Sequence, residues 1–206
     1  MTKAYPRRWL SILAALVLLA ACPSKSPQLP RVESNDVILA FGDSLTFGTG
    51  AAETQSYPVI LSALIGRNVV RAGVPGEVTA RGLQRLPSAL ATHKPKIVLL
   101  CLGGNDMLRK VDDQIIVANL REMIQLIRGR GAAVVLLGVP KPALFGGAAK
   151  IYGELADDLG VPYDGDIITS VLRAPGLKSD LIHPNAQGYR KIAEGIAALL
   201  QKFGAL

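Results

Sequence analysis

Ser44 lies in Gly42-Asp43-Ser44-Leu45, directly after an apolar run that begins at Val37. A serine hydroxyl attacks a carbonyl only when a base removes its proton. The chain has 2 histidines to supply that base. His93, in Ala91-Thr92-His93-Lys94-Pro95, falls at a helix end, where an imidazole favours the helix dipole, and is read as structural. His183 stands in Asp180-Leu181-Ile182-His183-Pro184-Asn185. Pro184 biases His183 away from helical angles and holds it in a turn. From three residues earlier, Asp180 can fold back onto Nδ1, fixing the tautomer and stabilising an imidazolium. Taken alone, an Asp and a His at this spacing also suit a helix-capping loop.

Acyl transfer also needs donors for the oxyanion of a tetrahedral intermediate. Gly76, in Gly73-Val74-Pro75-Gly76, offers a backbone N–H with no side chain in the way. Asn105, in Gly103-Gly104-Asn105-Asp106, offers a neutral side-chain amide. The Ser44 N–H, near a helix start, is a third candidate. Each of these segments by itself also reads as a turn.

The elements that must position these residues alternate in type. Short, β-branched apolar runs occur at residues 37–41, 69–72, 97–102 and 133–139, with a weaker one at 161–163. Fully apolar runs of this length suit strands buried on both faces. Between them lie amphipathic stretches marked by Leu83, Leu86 and Leu90, by Ile116, Leu120, Ile124 and Ile127, and by Ile151, Leu155 and Leu159. A last one carries Tyr189, Ile192, Ile196, Leu199 and Phe203, with Pro184 and Asn185 as its start signal. Such alternation predicts an α/β fold with a parallel sheet covered on both faces. In these sheets ligands bind beyond the carboxyl ends of the strands, which is where Ser44, Gly76 and Asn105 fall.

Together, Gly42-Asp43-Ser44-Leu45, Gly76, Gly103-Gly104-Asn105-Asp106 and Asp180…His183-Pro184-Asn185 resemble the four blocks of the SGNH, or GDSL, hydrolases. The resemblance runs from Asp36 to the C-terminus and is strongest to the bacterial thioesterase I, lysophospholipase L1 and arylesterase branch. Leu83-Gln84-Arg85-Leu86-Pro87 also looks like that branch. The resemblance implies a flavodoxin-like, three-layer α/β/α sandwich with a five-stranded parallel sheet. It implies Ser44 as nucleophile, His183 as base and then acid, and Asp180 as its orienter. Ser44, Gly76 and Asn105 are implied as oxyanion donors, with no metal and no cofactor. Glu77 stands where close relatives often carry Asp. The segment 141–150 differs from the specificity loop of thioesterase I, which bears on acyl-chain preference. The implied substrates are small-molecule esters or lipids: lysophospholipids, aryl or alkyl esters, acyl thioesters or acetylated sugars.

Other chemistries fit less well. An α/β-hydrolase elbow places glycine two residues after its serine, but Thr46 stands there. Residues 42–50 are glycine-rich after a strand, yet lack the Gly-Lys-Ser/Thr ending that cradles phosphates. A lipid-tethered binding protein of the same fold without catalysis is the remaining alternative. It is disfavoured by the intact set of Ser44, Asp180 and His183.

The 206 residues allow one domain with small extras. The formal charge is +7, but Lys3, Arg7 and Arg8 precede residue 22 with no acid among them. The other basic residues are scattered with few aromatics between them, a pattern that argues against nucleic-acid binding. Arg7 and Arg8 precede an apolar run over residues 9–21 that ends Leu19-Ala20-Ala21-Cys22. This is a basic n-region followed by a signal-peptide h-region. It resembles a bacterial lipoprotein signal (residues 1–21) with lipidation at Cys22, hence a membrane partner through an N-terminal lipid anchor in the cell envelope. Pro23 rather than Asp after the cysteine leans towards the outer membrane, facing the periplasm. Residues 22–35, rich in Pro and Ser, read as a flexible tether, and residues 36–206 as the hydrolase domain. Cys101, inside an apolar run, reads as a buried thiol. A compact domain of this kind is expected to be a monomer.

Overall fold

The computed structural model of the chain describes Met1 and residues 27–141 and 147–206. The expected signal segment, Cys22 and residues 142–146 of the divergent loop lie outside the described residues.

Five parallel strands form one sheet: β1 (Val37–Gly42), β2 (Asn68–Gly73), β3 (Ile97–Cys101), β4 (Ala133–Leu137) and β5 (Tyr163–Asp164). Their order is β2-β1-β3-β4-β5, the flavodoxin-like order, with its switch point between β1 and β3. Ile38 pairs with both Val69 and Ile97, and Gly42 with both Gly73 and Cys101, so the strands end together. The central strands β1, β3 and β4 are buried along nearly their whole length, as their continuous apolar runs required. Cys101 is fully buried among them.

Helices cover both faces. After β1 come α1 (Ser44–Phe47) and α2 (Tyr57–Ile65), and after β2 comes α3 (Thr79–His93). α4 (Gly104–Leu108) and α5 (Asp113–Gly129) follow β3, and α6 (Lys150–Leu159) follows β4. The chain ends with α7 (Ile167–Arg173) and α8 (Ala186–Lys202). On one side α2 packs on α8; on the other α3 packs on α5, and α5 on α6. Right-handed crossovers in this strand order distribute them so. The apolar stripes of α5 and α8 bury Ile116, Leu120, Ile124 and Ile127, and Tyr189, Ile192, Ile196 and Leu199.

Besides the five-residue α4, whose Gly-Asn-Asp start reads as a turn, two helices escaped the sequence reading for physical reasons. α2 is apolar nearly all round, so it carries no helical stripe; Pro58 in its first turn and Gly66 in the left-handed region after it mark its ends. α7 reads Ile-Ile-Thr-Ser-Val-Leu-Arg, whose β-branched residues mimic a strand. The run 133–139 is strand only to Leu137; Val139 and Pro140 continue beyond the sheet, where Pro140 bridges Ala148.

The expected tether is also shorter than residues 22–35. Leu29 and Val32 are buried in the core, and their N–H groups donate to Phe203 O at 2.9 Å and Ala205 O at 2.8 Å. The domain's packing thus begins before Asp36, because two apolar side chains in the Pro- and Ser-rich stretch reach the end of α8.

Candidate active site

The serine comes off the sheet through a tight turn. Asp43 caps α1, its Oδ1 accepting from Leu45 N at 3.0 Å, and Ser44 follows as the first helical residue. A Cβ on Gly42 would strike Cys101 O and Thr46, and one on Gly73 would strike the Asp43 and Phe47 backbone. Those two glycines let the serine turn lie directly on the ends of β2 and β3.

His183 arrives from the other end of the sequence on a loop pinned at several points. Ser179 N donates to His183 O at 3.0 Å, and Asn185 N to Leu177 O at 2.9 Å. Asn185 caps α8 through Gly188 N at 3.0 Å. The Asp180 carboxylate takes Ile182 N and His183 N on Oδ1, each at 2.8 Å, and His183 Nδ1 on Oδ2 at 2.7 Å. Partial burial works against the Asp180 anion, but these hydrogen bonds outweigh it and hold the carboxyl below its ordinary range. The other ring nitrogen, His183 Nε2, lies 3.1 Å from Ser44 Oγ. Serine, imidazole and carboxylate, separated by up to 139 residues in the chain, thus stand in one hydrogen-bonded line. That line can draw a proton from the hydroxyl towards the imidazole.

Asn105, in the first turn of α4, lines the same cavity as Ser44 and His183. Its Nδ2 donates to Asp43 Oδ2 at 3.2 Å and to Glu77 O at 3.1 Å. Those two bonds occupy both amide hydrogens, so an oxyanion reaches this donor by displacing one acceptor. Gly76 sits at the tip of a turn closed by Glu77 N donating to Val74 O at 3.2 Å. Its φ of 75°, with Pro75 before it, makes this a type II turn, which requires a left-handed third residue. The Gly76 N–H has no acceptor among the described residues. Arg109 Nη2 donates to Gly76 O at 3.1 Å. Gly76 is not among the cavity-lining residues; it joins the site through Glu77, whose carbonyl holds Asn105.

Sequence reasoning singled out Ser44, Asp180, His183, Gly76 and Asn105, and the structure brings all five to one end of the sheet. His93 is the last residue of α3, away from this cluster, as expected for a structural histidine. Asp43 was not singled out. It is 2% exposed, and burial pushes its carboxyl up to about 7 against the lowering effects of Leu45 N–H, His183 and Asn105. Asp106, 1% exposed, fastens α4 to α3 by accepting from Thr79 N at 2.8 Å and Thr79 Oγ1 at 2.6 Å. Nothing in their spacing distinguishes either from an ordinary turn aspartate.

Ser44 and His183 open onto a cavity of about 420 Å³, a size suited to a small molecule. Its walls include Leu45, Leu108, Val139, Leu172, Leu181 and Ile182. Lys141, Arg173 and Lys178 also line it. Lys141 is paired with Asp113 at 2.6 Å.

A three-layer α/β/α sheet with a serine, histidine and aspartate aligned at its carboxyl end defines a class of serine hydrolase. Residues 40–191 match the GDSL-like Lipase/Acylhydrolase family. The chain belongs to this family, the SGNH hydrolases, and is a carboxylic ester hydrolase. It is 33% identical over 181 residues to an arylesterase of Vibrio mimicus, covering 82% of this chain and 90% of that one. It is 32% identical over 179 residues to thioesterase 1/protease 1/lysophospholipase L1 of Escherichia coli strain K12, covering 83% and 86%. Among solved structures, that of TesA superposes with a TM-score of 0.73 at 30% identity, over 82% of this chain and 99% of that one.

Proposed function

We propose that the chain cleaves carboxylic esters or thioesters with apolar acyl groups through an acyl-enzyme on Ser44. The observation that carries the reading is the 3.1 Å contact between Ser44 Oγ and His183 Nε2, with Asp180 at 2.7 Å from Nδ1, at the floor of an apolar cavity. Ser44 Oγ bonds to the carbonyl carbon as His183 takes its proton. The carbonyl oxygen becomes an oxyanion facing the Ser44 N–H, the Gly76 N–H and the Asn105 amide, which exchanges its longer bond, to Asp43, for the oxyanion. Collapse breaks the bond to the leaving alcohol or thiol, which receives the proton from His183. Water, deprotonated by His183, then attacks the acyl-enzyme, releasing the acid and returning the proton through the imidazole to Ser44. Relatives named as arylesterase, thioesterase and lysophospholipase support both ester and thioester substrates.

The test is labelling by a phosphonate that traps activated serines, together with hydrolysis of an ester series of rising acyl length. Wild type should label at Ser44 and turn over, and Ser44→Ala should do neither. Intact wild type that fails to label would end the acyl-enzyme reading. An optimum at an acyl length that fits the cavity would define the preferred chain.

The basic and apolar segment ending at Cys22 supports a lipid anchor in a bacterial envelope, towards the outer membrane. The mass of the mature N-terminus tests this directly: a diacylglycerol-modified Cys22 supports it, and an unmodified or uncleaved N-terminus overturns it.

A further inference from the structure

Arg85, in the Leu83-Gln84-Arg85-Leu86-Pro87 stretch, is not among the cavity-lining residues, yet it touches the strand end that leads to Ser44 and the residue after Gly76. Its guanidinium grips Glu77 with two bonds, Nε to Oε1 at 2.9 Å and Nη2 to Oε2 at 2.6 Å. The same Nη2 donates to Ala72 O at 3.2 Å, near the end of β2, and reaches Gly42 O at 3.5 Å, at the end of β1. The ring of Phe41 lies beneath it, 4.0 Å from the guanidinium carbon. One planar cation therefore joins the strand end two residues before Ser44 to the residue after Gly76. Glu77 passes the link onward, because its carbonyl oxygen accepts from Asn105 Nδ2 at 3.1 Å.

We propose that Arg85 and Glu77 form a positioning pair that holds the Ser44, Gly76 and Asn105 donors at the mutual spacing an oxyanion requires. The inference rests on the acyl-enzyme reading above. The pair touches no reacting atom; it acts through the backbone of Glu77 and the two strand ends. Stability alone is a poor reason for such a pair. The Glu77 side chain is 6% exposed and that of Arg85 29%, and taking ions out of water offsets much of their attraction, so apolar residues of similar size often hold a fold as well. What an apolar pair cannot reproduce is the fork geometry. A guanidinium binds both carboxylate oxygens in one plane and leaves a second Nη2 hydrogen, which Ala72 O and Gly42 O share. Lysine at this position would keep the charge and lose the fork.

The dependence is steep because donors that miss the developing charge by about 1 Å cost on the order of 10²-fold in rate. They cost little in ground-state binding, since substrate affinity comes from the apolar cavity.

The experiment compares wild type, Arg85→Lys, Glu77→Gln, Asn105→Ala and the double variant Arg85→Lys/Asn105→Ala on a soluble aryl ester. It reads kcat and KM separately, phosphonate labelling, and thermal unfolding. Arg85→Lys and Glu77→Gln should each lose about 10- to 100-fold in kcat with KM within about threefold and cooperative unfolding retained. The double variant should be slower than Asn105→Ala alone by clearly less than the full Arg85→Lys loss, because one of the three donors that Arg85 positions is already gone. The pair is not a positioning device if either single variant keeps kcat within about threefold, if losses multiply in the double variant, or if both singles fail to fold. Failure of the parent reading looks different: wild type itself would neither label nor depend on Ser44.

Discussion

Asp43 is a carboxylic acid kept almost dry beside the nucleophile, and its ionisation links stability to pH. Its folded pKa of about 7 stands above the ordinary 3.8. The folded chain therefore retains a proton that the unfolded chain loses between those values. Its contribution to stability is complete below about pH 4 and is lost as the pH rises through about 7. Asparagine never ionises, so the Tm of Asp43→Asn relative to wild type should move in the variant's favour between pH 4 and 8. Thermal unfolding at both pH values checks this, and a pH-independent difference would contradict it. Asn105→Ala should lower kcat by about 10²-fold, as removal of one oxyanion donor does, while Ser44 still labels, since nucleophile and base are untouched. At this scale the sequence was informative wherever a residue type has few uses. With only 2 histidines, an aspartate three residues before one of them and a proline after it, His183 stood out. Asp43, Glu77 and Arg85 did not, because their meaning lies in partners up to 62 residues away.

The elements that hold the site were legible to the degree that burial leaves a periodic mark. Strands β1, β3 and β4 are enclosed on both faces and appear as unbroken apolar runs; α5 and α8 bury one stripe and appear as such. α2 and α7 left no usable period. The link between the loop after α1 and the loop carrying His183 was invisible for another reason: it is made by the absence of a side chain. Gly50 has φ 98°, and a Cβ there would meet Ser179 Oγ and Pro184 O. Gly50→Ala should push on the residue next to His183, destabilise the fold by about 1–3 kcal/mol, and lower kcat. Gly66→Ala is the control. It also sits at positive φ, 61°, but a Cβ there would meet no described atom within 4 Å, so it should cost stability with kcat unchanged. Urea unfolding and steady-state rates on the two variants separate them; equal kcat in both would show that Gly50 does not set the His183 loop.

Across the whole molecule, the chain enters the domain at the pole opposite the catalytic mouth. Leu29 and Val32 bind the backbone at Phe203 and Ala205, just past the end of α8, whereas Asn185, two residues from His183, caps its start. A helix of 17 residues separates the two by about 25 Å. From Cys22 to Leu29 the chain spans at most about 25 Å when fully extended. With the lipid on Cys22 proposed above, the mouth would face away from the bilayer, since laying it on that bilayer would consume the full reach of residues 22–29 before the chain had rounded the domain. Two outcomes are expected. A chain starting at residue 27 should hydrolyse a soluble ester with kcat/KM within about twofold of the lipidated protein. On vesicles, the lipidated protein should cleave esters supplied from solution much faster than ester lipids of its own bilayer. Inserting about 15 Gly and Ser residues after Ser26, enough slack to turn the domain over, should raise cleavage of the bilayer's own lipids and leave the soluble rate unchanged. Equal rates on both substrates without the insertion would mean that the domain reaches its own membrane by a route this geometry does not provide.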